Sequence, residues 1–156
     1  MAKKIKVKEI RHVGIVVKDA DAVAAQYKEY FDIDWSKKRI TDTREREHGP
    51  FMYNDEKVEF NMKIIIFPLG GIEIELIEPL DDKGPYADFL KRTGGGLHHF
   101  MIEVDDNLNF IEVADEIGAP FIIGGYMPGI SWKYFDMKEN FASLYEITQQ
   151  ERFEGV

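Results

Sequence analysis

Two imidazoles and two carboxylates stand at matching places in two repeated blocks of this chain, and together they outline a site for a metal ion. The block RHVGIVVKD, residues 11 to 19, lines up without a gap on HHFMIEVDD, residues 98 to 106, which sets His12 against His99. In the same way GIEIELIEP, residues 71 to 79, lines up on ASLYEITQQ, residues 142 to 150, and sets Glu75 against Glu146. A duplicated unit carrying one imidazole and one carboxylate per copy brings all four together if the copies pack as pseudo-symmetric partners. The chain has no cysteine, so histidine and carboxylate are its only strong metal ligands. A lone histidine near the start of a strand is more often a packed or surface residue. The shared register of both histidines with both acids is what favours ligation.

The elements that must position these groups follow the same order twice. KEIRHVGIVV reads as a strand and DADAVAAQYKEYF as a helix with an Asp start, its Val23, Tyr27 and Tyr30 or Phe31 at helical spacing. After a long polar stretch come MKIIIF and IEIELI, two strands flanking Pro68-Leu69-Gly70-Gly71, where the glycine pair supplies the freedom of a tight hairpin. The second copy runs LHHFMIEV as a strand, then DNLNFIEVADEIG as a helix with Phe110, Val113 and Ile117 on one face and a stop at Gly118. Strands follow around FIIGG, WKYFDM and ASLYEIT. The expected fold class is therefore α+β: one domain over residues 1–156, with a first βαβββ module at 8–80, a linker with a short helix at 81–96 and a second βαβββ module at 97–150.

Strand alternation decides which side chains share a face. Glu75 lies with Glu73 and Ile77, opposite Ile72, Ile74 and Leu76; His12 lies with Gly14 and Val16, and His99 with Met101 and Glu103. One small concave sheet can hold all four ligand candidates. Glu73 and Glu78 read as a solvated polar face. His98 cannot share the Met101 face with His99 and is expected to orient a neighbour or cap a strand end. The glycines at 94 to 96 follow no strand and open no helix, so they read as a hinge and not a phosphate loop.

Composition narrows the function classes. With 156 residues, 44% apolar and 13% aromatic, the chain has ample material for one core. Its formal charge of −9 argues against nucleic acid as a partner. No run of eighteen apolar residues exists, and the start MAKKIKVKEIRH interrupts its aliphatics with charge, so neither a membrane span nor a signal peptide is expected and the cytoplasm is the expected location.

These residues resemble the vicinal oxygen chelate superfamily and, within it, the methylmalonyl-CoA epimerases. The resemblance rests on IRHVGIVVKDADAVAAQYKEYF, IEIELIEPLDDKGPYADFLKR, GGGLHHFMIEVDD and YEITQ, and leaves out residues 36 to 62 and 122 to 142. It implies metal ligation by His12, Glu75, His99 and Glu146, and a homodimer. Two imidazoles and two carboxylates leave two octahedral positions free, and cobalt, manganese, nickel or zinc all suit such a set. The implied chemistry is removal of a proton alpha to a carbonyl through a stabilised enolate, in an acyl-CoA or another small carbonyl compound. Glu146 is expected to serve as an acid/base as well as a ligand.

The second acid/base is not identified by the resemblance. It is sought on the strand before the Gly-Gly hairpin, where Lys63 and aliphatic residues stand. Glu45, Glu47, Glu56 and Glu59 precede that strand and none is singled out by spacing. Two departures bear on the substrate: FMYNDEKVEFN adds Phe51, Tyr53 and Phe60, and YMPGISWKYFDMKENFASLYE replaces a Gly-rich stretch and a His-Pro pair on the acyl-CoA side. They raise an aromatic ketone as a second substrate class. The same scaffold also serves glyoxalase-type lyases, dioxygenases that use two histidines and one carboxylate, and non-catalytic binding proteins. The fourth ligand counts against a dioxygenase, and the complete ligand set counts against a binding protein.

Overall fold

The computed structural model describes residues 2–156. The first repeat begins with β1 (Val7–Val16) and α1 (Ala20–Tyr30), followed by β2 (Arg39–Asp42), β3 (Phe51–Tyr53), β4 (Glu56–Val58), β5 (Met62–Leu69) and β6 (Ile72–Pro79). The linking helix α2 (Gly84–Thr93) ends at Gly94, which takes a left-handed conformation with φ 81. The second repeat consists of β7 (Gly96–Val104), α3 (Asn107–Glu116), β8 (Phe121–Met127), β9 (Ile130–Met137), the one-turn α4 (Lys138–Phe141) and β10 (Ser143–Gln149).

The duplication extends to the helix starts. Asp19 accepts a hydrogen bond from the Ala22 backbone N at 2.9 Å, and its counterpart Asp106 accepts from Leu108 and Asn109 at 3.0 and 3.1 Å. Each satisfies amide groups that the first helical turn leaves without partners. Glu78 adds to the first of these ends by accepting from the Ala20 backbone N at 2.9 Å, so it is tied to α1 rather than solvated.

One ten-stranded sheet has the order β2-β5-β6-β1-β7-β10-β9-β8-β3-β4. The first eight strands of that order read as two mirrored sets of four that meet at the antiparallel β1–β7 pair. On either side of this seam lies a parallel pair, β1–β6 and β7–β10. The helices cover the outer side: α1 packs over Ile65, Phe67, Ile74 and Leu76, and α3 over Ile102, Val104, Phe135 and Ile147. The tight turn between β5 and β6 is Gly70-Gly71 alone. Pro68 and Leu69 lie inside β5, and Pro68 is tolerated there because β2 stops pairing at Ile66.

The three strands expected after α1 in the first repeat are five. Residues of the aromatic-rich stretch FMYNDEKVEFN form the β3–β4 hairpin, closed by Asn54 and Asp55 at φ 49 and 65, the left-handed pair that a two-residue hairpin turn demands. That hairpin does not join its own repeat. It crosses to the free edge of β8, pairing Met52 with Gly124 and Tyr53 with Ile123. The hairpin's Phe51, together with Phe60, is buried against Met62, Tyr86 and Trp132. These two aromatics build core. Among the described residues no helix is long and apolar enough to cross a membrane.

Candidate metal centre

The register across the seam puts the four ligand candidates into two adjacent rows. Glu73, His12, Met101 and Glu146 face one another across β6, β1, β7 and β10, and Glu75, Gly14 and His99 form the next row. Their side chains converge. His12 Nε2 lies 3.1 Å from His99 Nε2, 3.1 Å from Glu146 Oε2 and 3.2 Å from Glu75 Oε2. His99 Nε2 lies 2.9 Å from Glu146 Oε2 and 3.4 Å from Glu75 Oε2. One donor atom from each of the four falls within 4.8 Å of all the others.

This donor set fits a divalent ion. Ligands at about 2.0–2.2 Å from a metal, on neighbouring corners of an octahedron, stand roughly 3 Å apart, which is the separation seen between these atoms. Glu75 Oε2 is buried without a hydrogen-bond partner, although both imidazoles lie close to it. A buried carboxylate oxygen in that condition costs free energy unless a cation satisfies it. Burial raises the Glu75 pKa, but the charges of His12 and His99 so close to it outweigh this and hold it well below the usual carboxylate range. Burial also disfavours the His12 cation, yet Glu75 and Glu146 overcome it and push the pKa up to about 10. His99 is raised by the same two acids against its own burial.

The sign of these shifts gives a test on the metal-free protein. A histidine raised to about 10 from 6.5 contributes stability that is complete below pH 6.5 and lost as pH climbs toward 10. Urea midpoints of metal-free protein are expected to fall between pH 7 and pH 10, and to stay level once a divalent ion has replaced the protons. A midpoint of the metal-free form that rises over this interval would contradict the assignment.

Two neighbours hold the His99 ring. His98 Nδ1 lies 3.0 Å from His99 Nδ1, and Tyr134 stacks on the ring with centroids 4.4 Å apart. Burial, followed by the charge of His99, pushes the His98 pKa well below its ordinary value, so His98 is neutral. It accepts from Nδ1–H of His99 in the tautomer that leaves Nε2 of His99 free as a ligand. The expectation that His98 orients a neighbour is met by this contact. Gly14 carries no signal in the sequence that marks it as a site residue. A Cβ built there would lie 2.0 Å from His99 Cε1, so only glycine lets the imidazole cross over β1.

The cluster opens into a cavity of about 770 Å³. Ile40, Met62, Ile64 and Ile66 line it on one side, Met101, Met127, Trp132, Tyr134 and Tyr86 on the other, and Arg11, Arg39, Arg46, Glu73 and Glu103 carry its charge. Trp132 and Tyr134 come from the late aromatic segment. Tyr86 donates to Tyr134 at 3.0 Å, and burial pushes both phenols well above their ordinary pKa, so both keep their protons. On β5 the residues lining the cavity are aliphatic, while Lys63 is paired with Asp21. Glu45, Glu47, Glu56 and Glu59 do not line it.

The chain and its fold have known counterparts. The family model for the glyoxalase/bleomycin resistance protein/dioxygenase superfamily matches residues 11–135. The chain belongs to this superfamily. An ethylmalonyl-CoA/methylmalonyl-CoA epimerase of Cereibacter sphaeroides is 32% identical over 117 residues, covering 74% of this chain and 75% of the relative. The mitochondrial methylmalonyl-CoA epimerase of Dictyostelium discoideum is 29% identical over 128 residues, covering 74% of this chain and 68% of its own. Among solved structures, methylmalonyl-CoA epimerase from Mycobacterium tuberculosis superposes with a TM-score of 0.63 at 19% identity, covering 97% of this chain and 93% of that one.

Proposed function

We propose that this protein is a metal-dependent epimerase that moves a proton on the carbon next to the carbonyl of an acyl-CoA of the methylmalonyl-CoA type. The single observation carrying the reading is the convergence of His12, Glu75, His99 and Glu146 within 4.8 Å beside a cavity that His12, Glu75 and Glu146 line, in a chain related to such epimerases. These four residues would hold cobalt, manganese, nickel or zinc. A divalent ion there supplies Lewis-acid stabilisation of the negative charge that gathers on a carbonyl oxygen as its neighbouring carbon loses a proton.

The chain's own groups do the rest. Glu146 turns Oε2 toward the histidines and lines the cavity, leaving Oε1 for proton transfer. His98 and Tyr134 fix the His99 ring. The aliphatic and aromatic walls exclude water from the reacting carbon, which strengthens each electrostatic contact there. Cavity-lining Trp132, Tyr134 and Tyr86 favour one competing substrate, an aromatic ketone. The homodimer implied by the resemblance would cover exposed Val7, Ile10 and Leu97 on the central strands.

Proton NMR in deuterated water tests the assignment, with each of the four metals supplied in turn and methylmalonyl-CoA offered beside chiral aryl ketones. Metal-dependent loss of the α-proton signal from the thioester is the expected result. Exchange confined to the ketones would transfer the substrate, and no exchange with any metal would end the epimerase reading.

A further inference from the structure

Epimerisation needs one group to take a proton from one face of the reacting carbon and another to return one to the opposite face. Resting on the epimerase reading above, we propose that Glu73 is the second acid/base, working opposite Glu146 and positioned by Arg39. Among the described residues the carboxylates lining the cavity are Glu73, Glu75, Glu103 and Glu146. Glu75 and Glu146 belong to the ligand cluster. Glu103 is more exposed, at 39% of its side chain, and is paired with Lys8 and Arg11. Glu73 is left, half-buried at 23%.

Its place in the sheet is what a second base requires. Glu73 stands in register with His12 on the adjacent strand, a spacing of about 4.8 Å. The same row continues through Met101 to Glu146, so Glu73 and Glu146 stand at its two ends with His12 and Met101 between them. A planar reacting group lying over His12 and Met101 has one acid on each flank. Arg39 grips Glu73 with Nη1 to Oε2 at 2.8 Å and Nη2 to Oε1 at 3.1 Å. Two parallel hydrogen bonds fix the carboxylate plane and use only about half of its four lone-pair sites. The remaining sites belong to a carboxylate that lines the cavity.

The step balances. Glu73 takes the α-proton, the C–H electron pair moves into the bond toward the carbonyl carbon, and the carbonyl oxygen takes up the negative charge. Glu146, carrying a proton, delivers it to the opposite face. Proton exchange with water, or a turnover in the reverse sense, restores the pair.

Each epimer of methylmalonyl-CoA is offered separately in deuterated water to metal-loaded wild type and to Glu73→Gln. Interconversion by Glu73→Gln is expected to fall about 10²- to 10⁴-fold. One epimer still trades its α-proton for deuterium with retained configuration, through Glu146, while the other becomes inert. The number of Mn²⁺ ions bound, counted by electron paramagnetic resonance, remains that of wild type. In Glu73→Ala, added formate restores part of the interconversion. Unchanged interconversion overturns the proposal, and so does loss of exchange from both epimers together with metal binding, which would make Glu73 structural. Failure of wild type itself to exchange either epimer is instead the failure of the epimerase reading.

Discussion

His99→Ala is expected to lose metal binding and proton transfer together, by far more than the roughly 10- to 100-fold that removing a residue behind a ligand costs. The His99 side chain is fully enclosed, and its Nε2 lies within 2.9 Å of Glu146 and 3.4 Å of Glu75. Alanine there removes one ligand and leaves two carboxylates close together with a single cationic neighbour, His12. Breaking a buried charge pair by deleting one partner costs about 3–5 kcal/mol, so the metal-free variant should also unfold at lower urea. His98→Asn is the graded comparison. It leaves all four donor atoms in place but removes the ring that orients His99, and its loss of metal affinity should fall within that smaller 10- to 100-fold range. Calorimetric titration with Zn²⁺ separates the two. Equal affinity losses in both variants would mean that His99 is not itself a ligand.

The convergence of His12, Glu75, His99 and Glu146 was legible in the sequence because each sits on a strand, where alternation fixes its face, and because the duplication carries every one of them to an equivalent strand. The N-caps Asp19 and Asp106 were legible for the same reason, since a cap is a local event within one helical turn. What escaped depends on contacts between distant segments. The hairpin closed by Asn54 and Asp55 lies in what reads as a long polar stretch, and nothing local says that β3 pairs with β8 of the other repeat, because the choice of edge is settled by which edge the rest of the sheet leaves free. Glu73 looked like a solvated strand residue because its partner Arg39 comes from β2, two strands away across the sheet. Phe51 and Phe60 suggested a cavity wall by their type, yet only the position of the hairpin decided that they pack inward, leaving Trp132 and Tyr134 to line the cavity.

Gly14→Ala tests how strictly the seam is built around the metal centre. The added methyl would meet His99 Cε1, Nδ1 and Nε2 at 2.0, 2.3 and 2.7 Å, with the ring backed by Tyr134 and tied to His98. Neither neighbour gives way cheaply, since Tyr134 is itself buried. Overpacking of this kind costs about 1–3 kcal/mol, and the ring can relieve it only by leaving the position where its Nε2 meets the other donors. Gly71→Ala, where nothing lies within 4 Å of the built Cβ, is the control and should stay within about 0.5 kcal/mol of wild type. Added Zn²⁺ separates the effect on the site from the effect on the fold. An ion at a hundred times its dissociation constant stabilises by about 2.7 kcal/mol. At roughly 2–4 °C per kcal/mol for a chain of this size, that raises the melting temperature by about 5–10 °C in wild type and Gly71→Ala. Gly14→Ala should melt lower and show almost no rise, because the substitution removes the ligand geometry along with the packing. A full rise in Gly14→Ala would mean that the ion does not depend on His99 in its present place, and would count against the four-residue centre.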